Sequence, residues 1–245
     1  MIGDRTAEAL RLLQDRDRAG DGVDVALACA AALAVDGVAV SLAAGARAGE
    51  VLWCSDEVSR GFEDLQSTLG EGPGPDCLAG GLTVRVPDLA QVRPGRWPAL
   101  TAEVPGQAVR AVFCFPLRIG AIALGVLTAV RRTPGPLTGD QSDDALALAA
   151  ALTMHLLEDG SPAVLAREDS GALPFLQHAV VHQATGMVSV QLAVPLAEAL
   201  LRLRAHAYGT GRTLTDTAQD IVARRLRLAP GTEPLPPAAD KDWTP

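Results

Sequence analysis

Val109-Arg110-Ala111-Val112-Phe113-Cys114-Phe115-Pro116-Leu117-Arg118-Ile119, then Gly120, then Ala121-Ile122-Ala123-Leu124-Gly125-Val126-Leu127-Thr128-Ala129-Val130-Arg131, is the strongest β signal in the chain. β-branched and aromatic residues fill both halves, Gly120 bends the run, and Pro134-Gly135-Pro136 closes it. Toward the N-terminus, Val38–Ala43 and Glu50–Cys54 read as a second strand pair around the Gly45–Gly49 turn. Leu82–Val86 is a short strand. Between and around the strands lie helical stretches: amphipathic Ala7–Gln14, alanine-rich Val23–Val35 stopped by Asp36-Gly37, and Ser59–Leu69 with Phe62, Leu65 and Leu69 on one face. The block Gly70-Glu71-Gly72-Pro73-Gly74-Pro75 reads as a breaker. Pro87–Gly106 reads as one long loop holding Trp97-Pro98, of the length usually reserved for function or a lid. Asp140–Leu157 is a long alanine and leucine helix, wide enough in its apolar surface to cover a sheet and meet a second subunit. The sum is an α+β unit, an antiparallel sheet flanked by helices.

Bulk properties narrow the function. At 245 residues the chain has room for two modest domains, and a hydrophobic content of 48% excludes a disordered polymer. No apolar run reaches membrane-spanning length, and Asp4, Arg5, Glu8 and Arg11 interrupt any secretory signal, so the expected compartment is the cytoplasm, with no membrane contact. Cys29, Cys54, Cys77 and Cys114 lack CxxC spacing and read as reduced, structural thiols. The net charge of −8 argues against a nonspecific polyanion binder. Its distribution is uneven: residues 172–229 hold six arginines against three carboxylates, a local +3 that leaves −11 for the rest. A basic end on an acidic body suits contact with a nucleic acid by that end alone.

That basic end reads as three short helices. The first, Pro174–Val190, puts Leu176, Val180, Ala184 and Met187 on one stripe. Gly186 inside it calls for close approach, by another helix or by RNA. The second opens at Pro195 with Leu196, Leu200, Leu203 and Ala207 inward. Arg204 and Tyr208, four apart, are neighbours on another face. A guanidinium beside an exposed ring can hold phosphate while the ring stacks on an unpaired base; equally, Tyr208 can cap the core and Arg204 can enter an ion pair. Gly209-Thr210-Gly211 and Arg212 form a basic turn, and Thr213-Leu214-Thr215-Asp216 has the form of a capping box whose helix start could take phosphate.

Gln183-Ala184-Thr185-Gly186, Leu203-Arg204-Ala205-His206-Ala207, and Arg212-Thr213-Leu214 with Ala218 together resemble the ANTAR domain, an RNA-binding module of transcription antiterminators. The resemblance covers nearly all of Pro174–Leu228. It implies a homodimer that grips tandem RNA hairpins and thereby prevents a terminator from forming. The implied RNA contacts are Gln183, Thr185, Gly186, Arg202, Arg204, Tyr208, Arg212 and Thr213. Thr185 stands where lysine is common, which shifts the load to the arginines. Upstream, Leu69-Gly70-Glu71-Gly72-Pro73, Val86-Pro87-Asp88-Leu89, Trp97-Pro98 and the Ala111–Gly120 run look like a GAF (PAS-like) domain over Asp21–Glu158. Gly74 departs from relatives that carry cysteine there. The expected organisation is a helical extension at 1–20, a GAF sensor at 21–158, a linker at 159–171, the ANTAR domain at 172–229 and a disordered tail at 230–245.

The sensor's small-molecule ligand is unspecified, with Trp97, Phe113 and Phe115 as candidate walls beside the 87–106 loop, although each reads equally as core. No nucleotide loop, nucleophile elbow or catalytic constellation occurs, so no enzymatic role and no cofactor are expected. His178 and His182 share a helix face but lack the further ligands a metal would need. The rival readings are a small-molecule-binding protein whose helical tail serves dimerisation, and a DNA-binding regulator.

Overall fold

The computed structural model describes residues 3–14, 22–44, 47–103, 106, 108–158 and 175–229. The linker expected at 159–171 and the tail expected at 230–245 lie outside them. Two units divide the chain, Met1–His178 and Ala179–Pro245.

The N-terminal unit is built on a five-stranded antiparallel sheet of order β2-β1-β5-β4-β3. Its strands are β1 (Gly37–Ala44), β2 (Arg47–Cys54), β3 (Val84–Val86), β4 (Ala111–Ile119) and β5 (Ile122–Arg131). The β4–β5 hairpin runs in register from Ala111↔Arg131 to Ile119↔Ile122. Residues Ala111 to Phe115 are all buried, because both faces of the sheet are covered. On one face, Phe113, Phe115 and Leu117 join Val38, Val40 and Leu42 in a core shared with α1 (Asp4–Gln14), α2 (Gly22–Leu33) and α6 (Gly139–Glu158). On the other, Val112, Cys114, Val126 and Val130 meet Phe62 of α3 (Glu57–Leu69) and Cys77 of α4 (Pro73–Gly80).

Three expectations need correction here. Helix α1, read as an extension outside the sensor, sends Ala9 and Leu13 into the first core and packs on α2 and α6. The Gly70–Pro75 block ends α3 but also starts α4: Pro73 takes the first helical position, where its missing N–H is harmless. The 87–106 stretch is no open loop. It holds a 3-10 turn at Leu89–Gln91 and helix α5 (Pro98–Glu103), and it buries Leu89, Trp97 and Leu100 in the second core.

The C-terminal unit takes α7 (Phe175–Leu192) from Ala179 onward, α8 (Leu196–Gly209) and α9 (Leu214–Val222). A 105° bend separates the Val180–Leu192 part of α7 from α8. Small and branched side chains interlock where they cross: Ala184 and Val188, Ala199 and Leu203, then Leu214, Ala218 and Ile221. Leu196, expected inward, is 61% exposed, because the buried stripe of α8 starts one turn later at Ala199 and continues to Leu203 and Ala207. Among the described residues no single helix is long and apolar enough to cross a membrane.

Candidate functional site

Two places hold chemistry beyond packing, one in each unit. In the N-terminal unit it is a closed polar network against the second face of the sheet. Glu63 projects from α3 and is only 4% exposed. Ser41 Oγ of β1 donates to Glu63 Oε2 at 2.7 Å, and Gln66 Nε2 donates to Oε1 at 3.0 Å. The Thr128 hydroxyl of β5 is a further partner. Gln66 Oε1 in turn accepts from the Gly74 N–H of α4 at 2.8 Å. Cys114 Sγ lies 3.7 Å from Thr128 Oγ1, its cross-strand neighbour. The network therefore ties three central strands to α3 and α4 through one carboxyl group.

Burial raises the Glu63 carboxyl above the ordinary carboxylate range, and the hydroxyl and amide hydrogen bonds work against that rise. Burial also pushes the Cys77 thiol up to about 12 and raises the Cys114 thiol well above its ordinary value. Thiols held protonated in this way are poor nucleophiles. All four cysteines are free and buried.

The sequence reading missed Glu63. A usable signal was present: Gln66 falls four residues after Phe62 and three before Leu69, on the apolar stripe of α3. The proposed ligand walls do not form one wall. Phe113 and Phe115 point into the core beneath α2 and α6, whereas Trp97 belongs to the core on the opposite face. All three are at most 5% exposed and read as packing. The motif block does come together near Trp97, since Glu71 Oε1 accepts from the Ala99 and Leu100 amides at 2.7 and 2.9 Å. That carboxylate satisfies donors at the start of α5 that would otherwise lack partners.

In the C-terminal unit the expected RNA contacts separate into different fates. Gln183 is exposed on α7. Thr185 is a correction: it is 6% exposed and its hydroxyl donates to the Val181 carbonyl at 2.6 Å, a bond back along its own helix. Gly186 is half-buried, and a Cβ added there would meet nothing within 4 Å, so helix packing in this unit does not require glycine. Arg202 is committed to Glu198 at 2.5 Å, one turn back on α8. Arg212 is committed to Asp220 at 2.6 Å, and Arg225 shares the same carboxylate. These two guanidinium groups hold Asp220 below the usual carboxylate range. Thr213 caps α9, its hydroxyl accepting from the Asp216 amide at 3.0 Å, so one donor of that helix start is already satisfied. Arg204 is half-buried, and Tyr208, one turn on, is 45% exposed. The basic turn is thus an internal ion-pair cluster, and the aromatic residue on α8 is the part that faces outward.

No protein-family model matches this chain, and no curated protein does. Solved structures match by shape. The GAF domain of an Acinetobacter phosphoenolpyruvate-protein phosphotransferase aligns at TM-score 0.50 and 14% identity, over 64% of this chain and 93% of that one. The corresponding GAF domain from Coxiella burnetii aligns at 0.47 and 14%, over 66% and 99%. A GAF domain from A. Aeolicus nlh2 in an inactive state aligns at 0.45 and 13%, over 64% and 95%. The Acinetobacter likeness, together with the five-stranded antiparallel sheet and its helices, establishes a GAF-like fold in this chain.

Proposed function

We propose that this chain is a transcription antitermination regulator, in which the GAF-fold unit acts as a sensor and the three-helix unit binds hairpin RNA in the manner of an ANTAR domain. One observation carries the reading: Tyr208, the single tyrosine of the chain, stands exposed on α8 one turn from Arg204. An exposed ring flanked by a guanidinium offers stacking to an unpaired loop base and charge to its phosphate. The linked motifs around Gln183, Arg204 and Arg212 support the same assignment. Two such modules held in one homodimer raise the effective concentration for a two-hairpin target.

Binding of a tandem-hairpin RNA, followed by fluorescence anisotropy at one stated salt concentration, tests this. Tyr208→Ala removes a stacking partner of about 1–3 kcal/mol, so affinity falls roughly 5- to 150-fold. Arg204→Ala weakens binding in the same direction. Arg202→Ala has a smaller effect, because that side chain already neutralises Glu198. Unchanged affinity in both the Tyr208 and Arg204 variants removes the proposed RNA face.

A second reading has its own observation. Leu196 and Leu201 are 61% and 66% exposed on the same helix, two apolar side chains that a dimer partner would cover. If the tail only dimerises the sensor, cutting the chain at Gly171 turns a dimer into a monomer and no hairpin RNA binds. Preference for duplex DNA over hairpin RNA in competition identifies the DNA-binding alternative instead.

A further inference from the structure

The C-terminal unit holds a groove of about 700 Å³ between α7 and the chain that follows α9, within the ~300–1,000 Å³ span of small-ligand sites. Gly186, Met187, Val190 and Gln191 share one face of α7 and form one wall. Ile221 and Leu226 stand opposite, with Arg224 and Arg227 beside them. The walls are held to one another. Gln191 donates its side-chain amide to the Leu228 carbonyl, and the Arg225 and Leu226 amides both donate to the Asp220 carbonyl, which closes the turn after α9. The groove is open as well as fixed: Val190 is 85% exposed, and a Cβ added at Gly186 would meet nothing within 4 Å.

Charge says what the groove fits. Of the six arginines between residues 172 and 229, Arg202, Arg212 and Arg225 face carboxylates. Arg224 and Arg227 are exposed, and neither is engaged by a carboxylate among the described residues. Two uncommitted cations therefore stand beside an apolar floor. Arg224 holds its place at φ 60°, in the left-handed region just past the α9 cap, where glycine is the ordinary residue. A floor of this kind with guanidinium groups at its edge suits a flat apolar body that carries anions on either side. Paired RNA does not supply one, because its base faces are covered in the stack and its accessible surface is mainly phosphate and hydroxyl. An unpaired nucleotide supplies both, a free base face and the phosphates that flank it.

We propose that this groove takes one unpaired nucleotide of an RNA, with its base laid on Met187 and Val190 and its flanking phosphates held by Arg224 and Arg227. The inference rests on the RNA-binding reading above and deepens it, since it names a seat to which Tyr208 does not contribute.

The test uses the intact chain labelled at its methionine ε-methyl carbons and titrated with a short single-stranded oligoribonucleotide that forms no hairpin. The chain has three methionines, and Met187→Leu assigns the Met187 signal. A base lying on Met187 shifts that methyl proton upfield by its ring current, while Met154 in the N-terminal unit holds its position. The shift disappears in Gly186→Leu, which fills the groove from its α7 wall. An Arg224→Gly, Arg227→Gln double variant weakens binding and lowers the slope of log K against log salt by about 1.4, at about 0.7 per phosphate contact in a single strand. Neither change threatens folding: leucine favours a helix over glycine, and glycine suits the left-handed backbone at position 224. Absence of oligonucleotide binding overturns the proposal, as does a bound oligonucleotide that leaves the Met187 methyl unmoved. So does a shift that both variants leave in place, or poly-glutamate of equal charge binding as tightly, which makes an acidic protein segment the occupant. The two readings fail separately. Tandem-hairpin RNA that binds through Tyr208 without moving Met187 removes the groove alone, whereas an oligonucleotide shift with no hairpin binding removes the antitermination reading alone.

Discussion

Glu63 sits where a carboxyl group is least comfortable, between α3 and the sheet, and it survives there because every neighbour can donate to it. Its raised pKa has a definite sign for stability. The unfolded group ionises near its ordinary value, whereas the folded group holds its proton to higher pH. Its contribution is therefore greatest below the unfolded pKa and is lost as pH rises through the folded one. Glu63→Gln keeps the shape and lets Gln66 and Ser41 retain partners, so the variant loses this fall in stability as pH rises above the ordinary carboxylate range. Urea midpoints measured from pH 4 to pH 8 check it; an unchanged slope in the variant assigns the pH dependence to other groups. Glu63→Leu strands the Ser41 and Gln66 polar groups instead and costs about 1–3 kcal/mol at low pH, a difference that shrinks as rising pH removes the Glu63 contribution from the unaltered chain. A glutamate on an amphipathic helix ordinarily faces solvent, which is why Glu63 does not announce itself in the sequence. Only Gln66, placed between Phe62 and Leu69 on the apolar stripe, hints that this helix buries polar groups.

At the scale of elements, two glycines make opposite predictions. A Cβ on Gly125 of β5 would lie 2.2 Å from the Ser41 carbonyl oxygen and 3.3 Å from Leu42 Cα, both backbone atoms of β1. Neither can step aside without opening the β1–β5 pairing, so Gly125→Ala costs about 1–3 kcal/mol or more. Gly186 lies inside α7 with open space around its missing side chain. Gly186→Ala therefore gains up to about 1 kcal/mol of helix propensity. Thermal or urea unfolding distinguishes the two, and a destabilised Gly186→Ala contradicts the open space seen there. The β4–β5 hairpin was legible because its β-branched and aromatic residues run without interruption on either side of Gly120. Helix α4 was not, because Gly72-Pro73-Gly74-Pro75 uses residues that break a helix in its middle but begin one at its first turn. The 87–106 stretch misled for a related reason: its helices are a single turn or little more, too short to show a period. The C-terminal helices were legible by their small and leucine-rich stripes, whereas the pairing of Arg212 with Asp220, eight residues on, depends on how the turn folds back over α9.

Over the whole molecule the charge distribution limits how nucleic acid can be held. The chain carries −8, and its cations between residues 172 and 229 are six arginines. Three of these, Arg202, Arg212 and Arg225, already face carboxylates at 2.5 to 2.6 Å. A guanidinium that stays with its carboxylate neutralises no phosphate and releases no counterion. At most three arginines per protomer then act on RNA, and the slope of log K against log salt is about −2 to −3 per protomer. If the paired arginines instead left Glu198 and Asp220 for phosphate, the slope would approach twice that. Titrating a hairpin RNA with the intact chain over a range of salt concentrations separates these cases. A shallow slope joined to a large loss in Tyr208→Ala places recognition in stacking on an unpaired loop base, and makes the acidic body a filter against duplex and other nonspecific polyanions. A steep slope that survives Tyr208→Ala reverses that assignment, because binding would then draw on the ion-pair cluster around Asp220 and would need that cluster to open.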